Sequence, residues 1–170
     1  MVAGINRLFC EWYDFPRPVV AAVNGHAVAG GLILALCADH RVGARGASYG
    51  LTETRVGTPY PAAALAIVRA ELAPAAARRL VLGAELLDAD RALELGLVDE
   101  LAEADAVLER ALEVSRQLAA LPTATYEAVK RQLRGGVAAA MRAEAERDPL
   151  AAGWLSAETP EAARRALERR

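Results

Sequence analysis

The chain has 170 residues, 54% of them hydrophobic, and its 20 Lys+Arg against 22 Asp+Glu leave a formal net charge of −2. One domain with a substantial core fits that length and composition. A nucleic-acid binder does not, because the charges nearly balance and the arginines are spread through helical segments instead of gathering into a basic stripe.

Residues 2–14 place Ile5, Leu8, Phe9 and Trp12 at helical spacing, which predicts an amphipathic helix ending before Pro16. Pro16 and Pro18 bracket an extended entry into a β-branched apolar run at 19–24 that reads as a strand. After Gly30-Gly31 the apolar run to Ala38 has only Ile33 as a β-branched residue, so a buried helix is predicted there. Residues 39–44 have no helical period and read as a second strand, with a further extended piece at 47–50. Strand, helix and strand in that order predict a right-handed crossover in a mainly parallel sheet. The uncharged run 19–38 is long enough to cross a bilayer, but Asn24, His26 and three glycines in its interior argue against a span, so no membrane contact is expected.

From Pro61 the chain turns helical and alanine-rich, with helices predicted at 61–72 and 74–82. Asp88 is an N-cap candidate for a helix at 89–95, and Gly96 its stop. A short edge strand is predicted at 98–101, then helices at 104–121 and 123–133, the second capped by Thr123 and stopped by Gly135-Gly136. The tail 137–170 reads as two helical stretches divided at Asp148-Pro149 and Thr159-Pro160. Leu, Val and Ala occupy several faces of this half, which suggests oligomer contacts. Cys10 and Cys37 sit in apolar surroundings without metal-ligand spacing, as expected for buried free thiols in a reducing cytoplasm and for a chain with no metal site. The N-terminus lacks a continuous apolar core, so no signal peptide is expected.

The chemistry concentrates around Gly30 and Gly31. Both fall where the helix begins, and without a Cβ their unpaired N–H groups can approach a ligand oxygen that is negative or becoming so. A phosphate-binding P-loop would need Lys and then Ser or Thr after its last glycine, and Gly31 and Leu32 stand there instead. Gly46-Ala47-Ser48-Tyr49-Gly50 matches a nucleophile elbow, but the following residues make a poor helix, and His26 and His40 both precede the serine. Glu53 lies in a loop after the second strand. A carboxylate there can face the glycine pair and, in an apolar pocket, acquire a pKa suited to proton transfer; the competing expectation is a surface glutamate paired with Arg55.

The run from Pro18 through Asn24-Gly25-His26-Ala27 and Ala29-Gly30-Gly31, followed by Leu34-Ala35 and Asp39, resembles the signature of the crotonase superfamily, the enoyl-CoA hydratases and isomerases. Further matches at 47–57, 80–83 and 90–98 extend the resemblance over about residues 8–135. It implies a crotonase-like α/β spiral with a parallel sheet at 1–103 and a helical C-terminal region at 104–170 that builds trimers or dimers of trimers. It also implies an acyl-CoA substrate and no cofactor beyond the coenzyme A of that substrate. By resemblance Gly30 supplies one N–H of an oxyanion hole for the thioester carbonyl, Gly31, His26 and Ile33 line the pocket with it, and Glu53 is the second of the hydratases' two catalytic glutamates. Ile33 stands at the first glutamate's position, which favours double-bond isomerisation by one carboxylate over hydration by two. The family's opening section, with its other oxyanion N–H, has no counterpart here. A truncated chain, a misassigned start and a degenerate acyl-CoA-binding member all fit that.

Overall fold

A computed structural model describes residues 1–168. The first helix, α1 (Val2–Tyr13), forms where its spacing predicts, but the face it buries is Val2, Asn6, Phe9, Cys10 and Tyr13; of the expected stripe only Phe9 is buried, and Leu8 and Trp12 are exposed. The uncharged run that follows is divided into β1 (Val20–Val23), β2 (Ala27–Val28) and α2 (Gly30–Leu36), and no helix among the described residues is long and apolar enough to cross a membrane. After α2 comes β3 (His40–Ala44), parallel to β1 with Val20 opposite His40 and Val23 opposite Gly43. The third strand of this sheet is β6 (Glu100–Ala102), parallel to β3 on its other side, so the order is β1-β3-β6. Glycine is required at position 43, where a Cβ would stand 2.6 Å from the Tyr49 hydroxyl that donates to Ala44 O.

A second small sheet was not legible in the residue pattern. β2 pairs in parallel with β4 (Tyr49–Gly50), and β4 pairs antiparallel with β5 (Leu86–Leu87). Strands of two residues carry too few side chains to show an alternation. Between β4 and β5 lie α3 (Ala62–Glu71) and α4 (Pro74–Gly83). α5 (Ala89–Glu94) begins as expected, with Asp88 Oδ1 accepting from Arg91 N at 2.8 Å, and ends near Gly96 at φ +74°.

The helical half comprises α6 (Val107–Ala119), α7 (Thr123–Glu146) and α8 (Thr159–Glu168). The final two residues of the tail lie outside the described residues. Here two expectations are corrected: Thr123 is not the cap, since Pro122 holds that position without a side-chain hydrogen bond, and Gly135-Gly136 does not stop the helix, so α7 runs unbroken for 24 residues. Its buried face, Lys130, Arg134, Ala138 and Met141, packs against α1 and α3, and that tertiary burial outweighs the glycines' poor helix propensity. Gly136 is exposed, and a Cβ there would meet nothing within 4 Å. Gly136→Ala is therefore expected to stabilise the fold by about 1 kcal/mol, read as a rise in Tm on thermal unfolding.

One cluster of buried residues runs from Phe9 through Leu32, Leu36, Tyr49, Ile67 and Leu97 to Met141, drawing on both halves of the chain. Asp148 closes the tail onto it. Its carboxylate accepts from Asn6 Nδ2 (2.8 Å), Ala62 N (2.8 Å) and Leu150 N (2.9 Å). Burial pushes that carboxyl up, but the three donors outweigh it and hold Asp148 below the usual carboxylate range.

Candidate active site

The start of α2 is held in place by the second sheet. Ala27 N donates to Ser48 O (3.0 Å) and Ala29 N to Gly50 O (2.8 Å), so β4 fixes the residue immediately before Gly30. Ala29 caps α2 with φ 55° and ψ −132°, a conformation that L-residues avoid, while its carbonyl accepts from Leu32 N and Ile33 N. Gly30 and Gly31 occupy the first turn, where no helical carbonyl is available to their N–H groups. Both are exposed, and a Cβ at either would meet nothing within 4 Å, so open space lies beside these amides. Ala29→Gly is expected to relieve backbone strain and stabilise the protein by about 1 kcal/mol, raising Tm by roughly 2–4 °C. An unchanged or lower Tm would show that Ala29 is not strained.

Glu53 follows Gly50 by three residues, so the hydrogen bond between Ala29 and Gly50 ties its loop to the start of α2. The side chain is 8% exposed, and Oε2 has no hydrogen-bond partner among the described residues. The expected surface pair with Arg55 is not formed: Arg55 Nη2 donates to Ala84 O at 2.6 Å instead. Burial raises the Glu53 pKa above the usual carboxyl value, opposed by the loop's backbone amides and by the nearby Tyr60 hydroxyl. Tyr60 gave no sequence signal. It stands seven residues after Glu53 in a proline-flanked loop with no periodicity, and only the fold brings the two together.

The other predicted residues separate. His26 is exposed, and its Nδ1 accepts from Ser48 N at 2.9 Å, which leaves the ring proton on Nε2. It lines a groove of about 380 Å³ with Gly31, Leu34, Ala35, Trp12 and the length of β1. Ile33 is 2% exposed and belongs to the hydrophobic cluster. Ser48 leads into β4 and not into a helix, as the rejected nucleophile-elbow reading requires. A larger cavity of about 530 Å³, between Pro16, Leu112 and Tyr126, contains none of the predicted site residues. Among the described residues no group of His, Cys, Asp and Glu could hold a metal ion.

Glycine amides at a helix start, a buried loop carboxylate linked to them through one short strand pair, and a parallel sheet beneath define a crotonase-like α/β protein. Solved structures agree. An enoyl-CoA isomerase from Mycobacterium tuberculosis is similar with a TM-score of 0.83 and 33% identity, over 89% of this chain and 66% of that one. An enoyl-CoA hydratase from Mycobacterium ulcerans matches with a TM-score of 0.81 and 32% identity, over 85% of this chain and 63% of that one. The family profile described as Enoyl-CoA hydratase/isomerase matches residues 3–155, and the chain belongs to that family. Among curated relatives, a putative enoyl-CoA hydratase of Thermus thermophilus is 40% identical over 116 residues, 68% of this chain and 46% of the relative. A carnitinyl-CoA dehydratase of Citrobacter koseri is 34% identical over 116 residues, 68% of this chain and 43% of the relative. The chain thus spans about half the length of the curated relatives it matches.

Proposed function

We propose that the protein acts on acyl-CoA thioesters through enolate stabilisation, and that its reaction is the shift of a double bond from C3 to C2 of an enoyl-CoA. The observation that carries this reading is a carboxylate, Glu53, buried with one oxygen unpartnered and tied through Gly50 and Ala29 to the amides of Gly30 and Gly31. In this mechanism the Glu53 carboxylate removes a proton from C2. The electron pair moves into the thioester carbonyl, whose oxygen becomes an enolate facing Gly30 N–H. Glu53 then returns the proton at C4, and the double bond settles between C2 and C3. His26 and Gly31 border the acyl-CoA groove. Coenzyme A enters as part of the substrate, and no separate cofactor takes part. Ile33, apolar and buried, supports isomerisation over hydration because it offers no second proton-handling group to orient water.

The test is incubation with 3-enoyl-CoA in deuterated water. Formation of 2-enoyl-CoA supports the isomerase, and retention of the substrate's own hydrogen at C4 marks its transfer by a single carboxylate. Water addition to 2-enoyl-CoA without isomerisation favours a slow hydratase. An acyl-CoA that raises Tm while neither reaction occurs favours a binding protein. Assembly as a homotrimer or dimer of trimers belongs to the same reading. Its support is apolar surface left open on α7, where Leu133 is 78% and Val129 54% exposed; sedimentation that finds only monomer removes it.

A further inference from the structure

The loop that carries Glu53 closes on itself and is clamped from the tail. Thr58 N donates to Glu53 O at 2.9 Å, Gly57 turns the chain at φ 68°, Thr159 Oγ1 donates to Gly57 O at 2.7 Å, and Trp154 Nε1 donates to Pro59 O at 2.8 Å. This brings Tyr60 beside Glu53 with its ring packed against the hydrophobic cluster. Two side-chain oxygens in the loop, Glu53 Oε2 and Tyr60 Oη, are buried without a hydrogen-bond partner among the described residues. Buried polar atoms are rarely left unpaired in a folded protein, so a loop that buries both side by side has a use for them.

We propose that Tyr60 is a positioning residue for Glu53: its hydroxyl turns toward the carboxylate and holds it ionised and aimed, as removal of a proton from C2 requires. The inference rests on the reading of Glu53 as the base. Tyr60 keeps its proton throughout, and the C2 proton passes only to Glu53. The two groups already sense each other: the phenol draws the Glu53 pKa down, while burial and then the Glu53 charge push the phenol well above its ordinary value.

Tyr60→Phe keeps the ring and removes only the hydroxyl. The Glu53 carboxyl carbon is titrated by ¹³C NMR in both proteins, its signal assigned by its loss in Glu53→Gln. The midpoint is expected to move up in Tyr60→Phe, the acidic limb of kcat/KM to move up with it, and KM to change little. The reciprocal measurement follows the phenol by ultraviolet absorbance: Glu53→Gln is expected to lower the pH at which Tyr60 ionises, and it decides the matter if Tyr60→Phe does not fold. Unmoved titrations overturn the inference. Moved titrations in a protein without isomerase activity uphold the pairing and overturn only the catalytic reading, so the two failures are distinguishable.

Discussion

Glu53→Gln is expected to lower the rate of 3-enoyl-CoA isomerisation by roughly 10²–10⁴-fold while leaving acyl-CoA binding nearly intact. Glutamine preserves the shape of the side chain but cannot accept the C2 proton. The lost proton transfer corresponds to about 3–5 kcal/mol of barrier. The groove along β1 is lined by other residues, so KM should change little. The wild-type pH profile should also carry a signature. Because burial raises the Glu53 pKa, activity should fall on acidification at a pH above the usual carboxyl range, and that limb should be missing from the residual rate of the variant. Equal rates in the two proteins would remove the enzymatic reading.

Stability should move in the opposite direction. A carboxyl whose pKa is raised by folding favours the folded state when protonated. That contribution is full below the group's ordinary pKa and lost as pH rises through the raised value. At neutral pH the ionised Glu53 therefore strains the fold, and Glu53→Gln should raise Tm there, with the gain fading in acid. A residue retained for packing or pairing would give the reverse sign. Lower activity with higher stability separates a group kept for chemistry from one kept for structure.

The family signature and the first sheet were legible because their signals are local. A β-branched run, a glycine pair and a helix low in β-branched residues each act over a few residues, and α1, β1, α2 and β3 fall where those signals place them. Asp88 and Gly96 likewise mark α5 through capping chemistry that needs no tertiary context. What was hidden depends on distant partners. The pairing of β2 with β4 joins residues 27 and 49 through two-residue strands, and continuation of α7 through Gly135-Gly136 depends on packing against α1 and α3. In the candidate site, the glycines and Glu53 were visible from spacing and resemblance. Burial of Glu53, its proximity to Tyr60 and the positive φ of Ala29 were not, since each is set by how the loop closes.

Asp39→Ala is expected to destabilise the protein by about 3–5 kcal/mol, a fall in Tm of roughly 10 °C. Asp39 follows α2, and its carboxylate accepts from Val19 N at 2.9 Å and Lys130 Nζ at 2.6 Å and lies in an ion pair 3.3 Å from Arg134 Nη1. Lys130 and Arg134 come from α7, and both are buried. Arg134 also donates to Cys37 O (2.8 Å) and Ala38 O (3.0 Å) just past α2, and its guanidinium lies 4.6 Å from the centre of the Tyr13 ring. Removing Asp39 strands two cations in low dielectric, with Glu71, 3.5 Å from Arg134, as the neighbouring carboxylate. If the loss comes from that stranded charge, Lys130→Met in the Asp39→Ala background should recover part of it, whereas a loss from packing alone would not be recovered. The pH dependence has a fixed sign. Burial already pulls the Lys130 ammonium below its ordinary pKa against the pull of Asp39, and without that carboxylate the pKa falls further. Between the folded and unfolded values the unfolded chain binds more protons, so the stability of Asp39→Ala should rise as the solution is made alkaline. A loss below about 1 kcal/mol would place the cluster among ion pairs of no net consequence. A large loss would instead show that α7 anchors the C-terminal end of the helix whose opposite end presents the Gly30 amide.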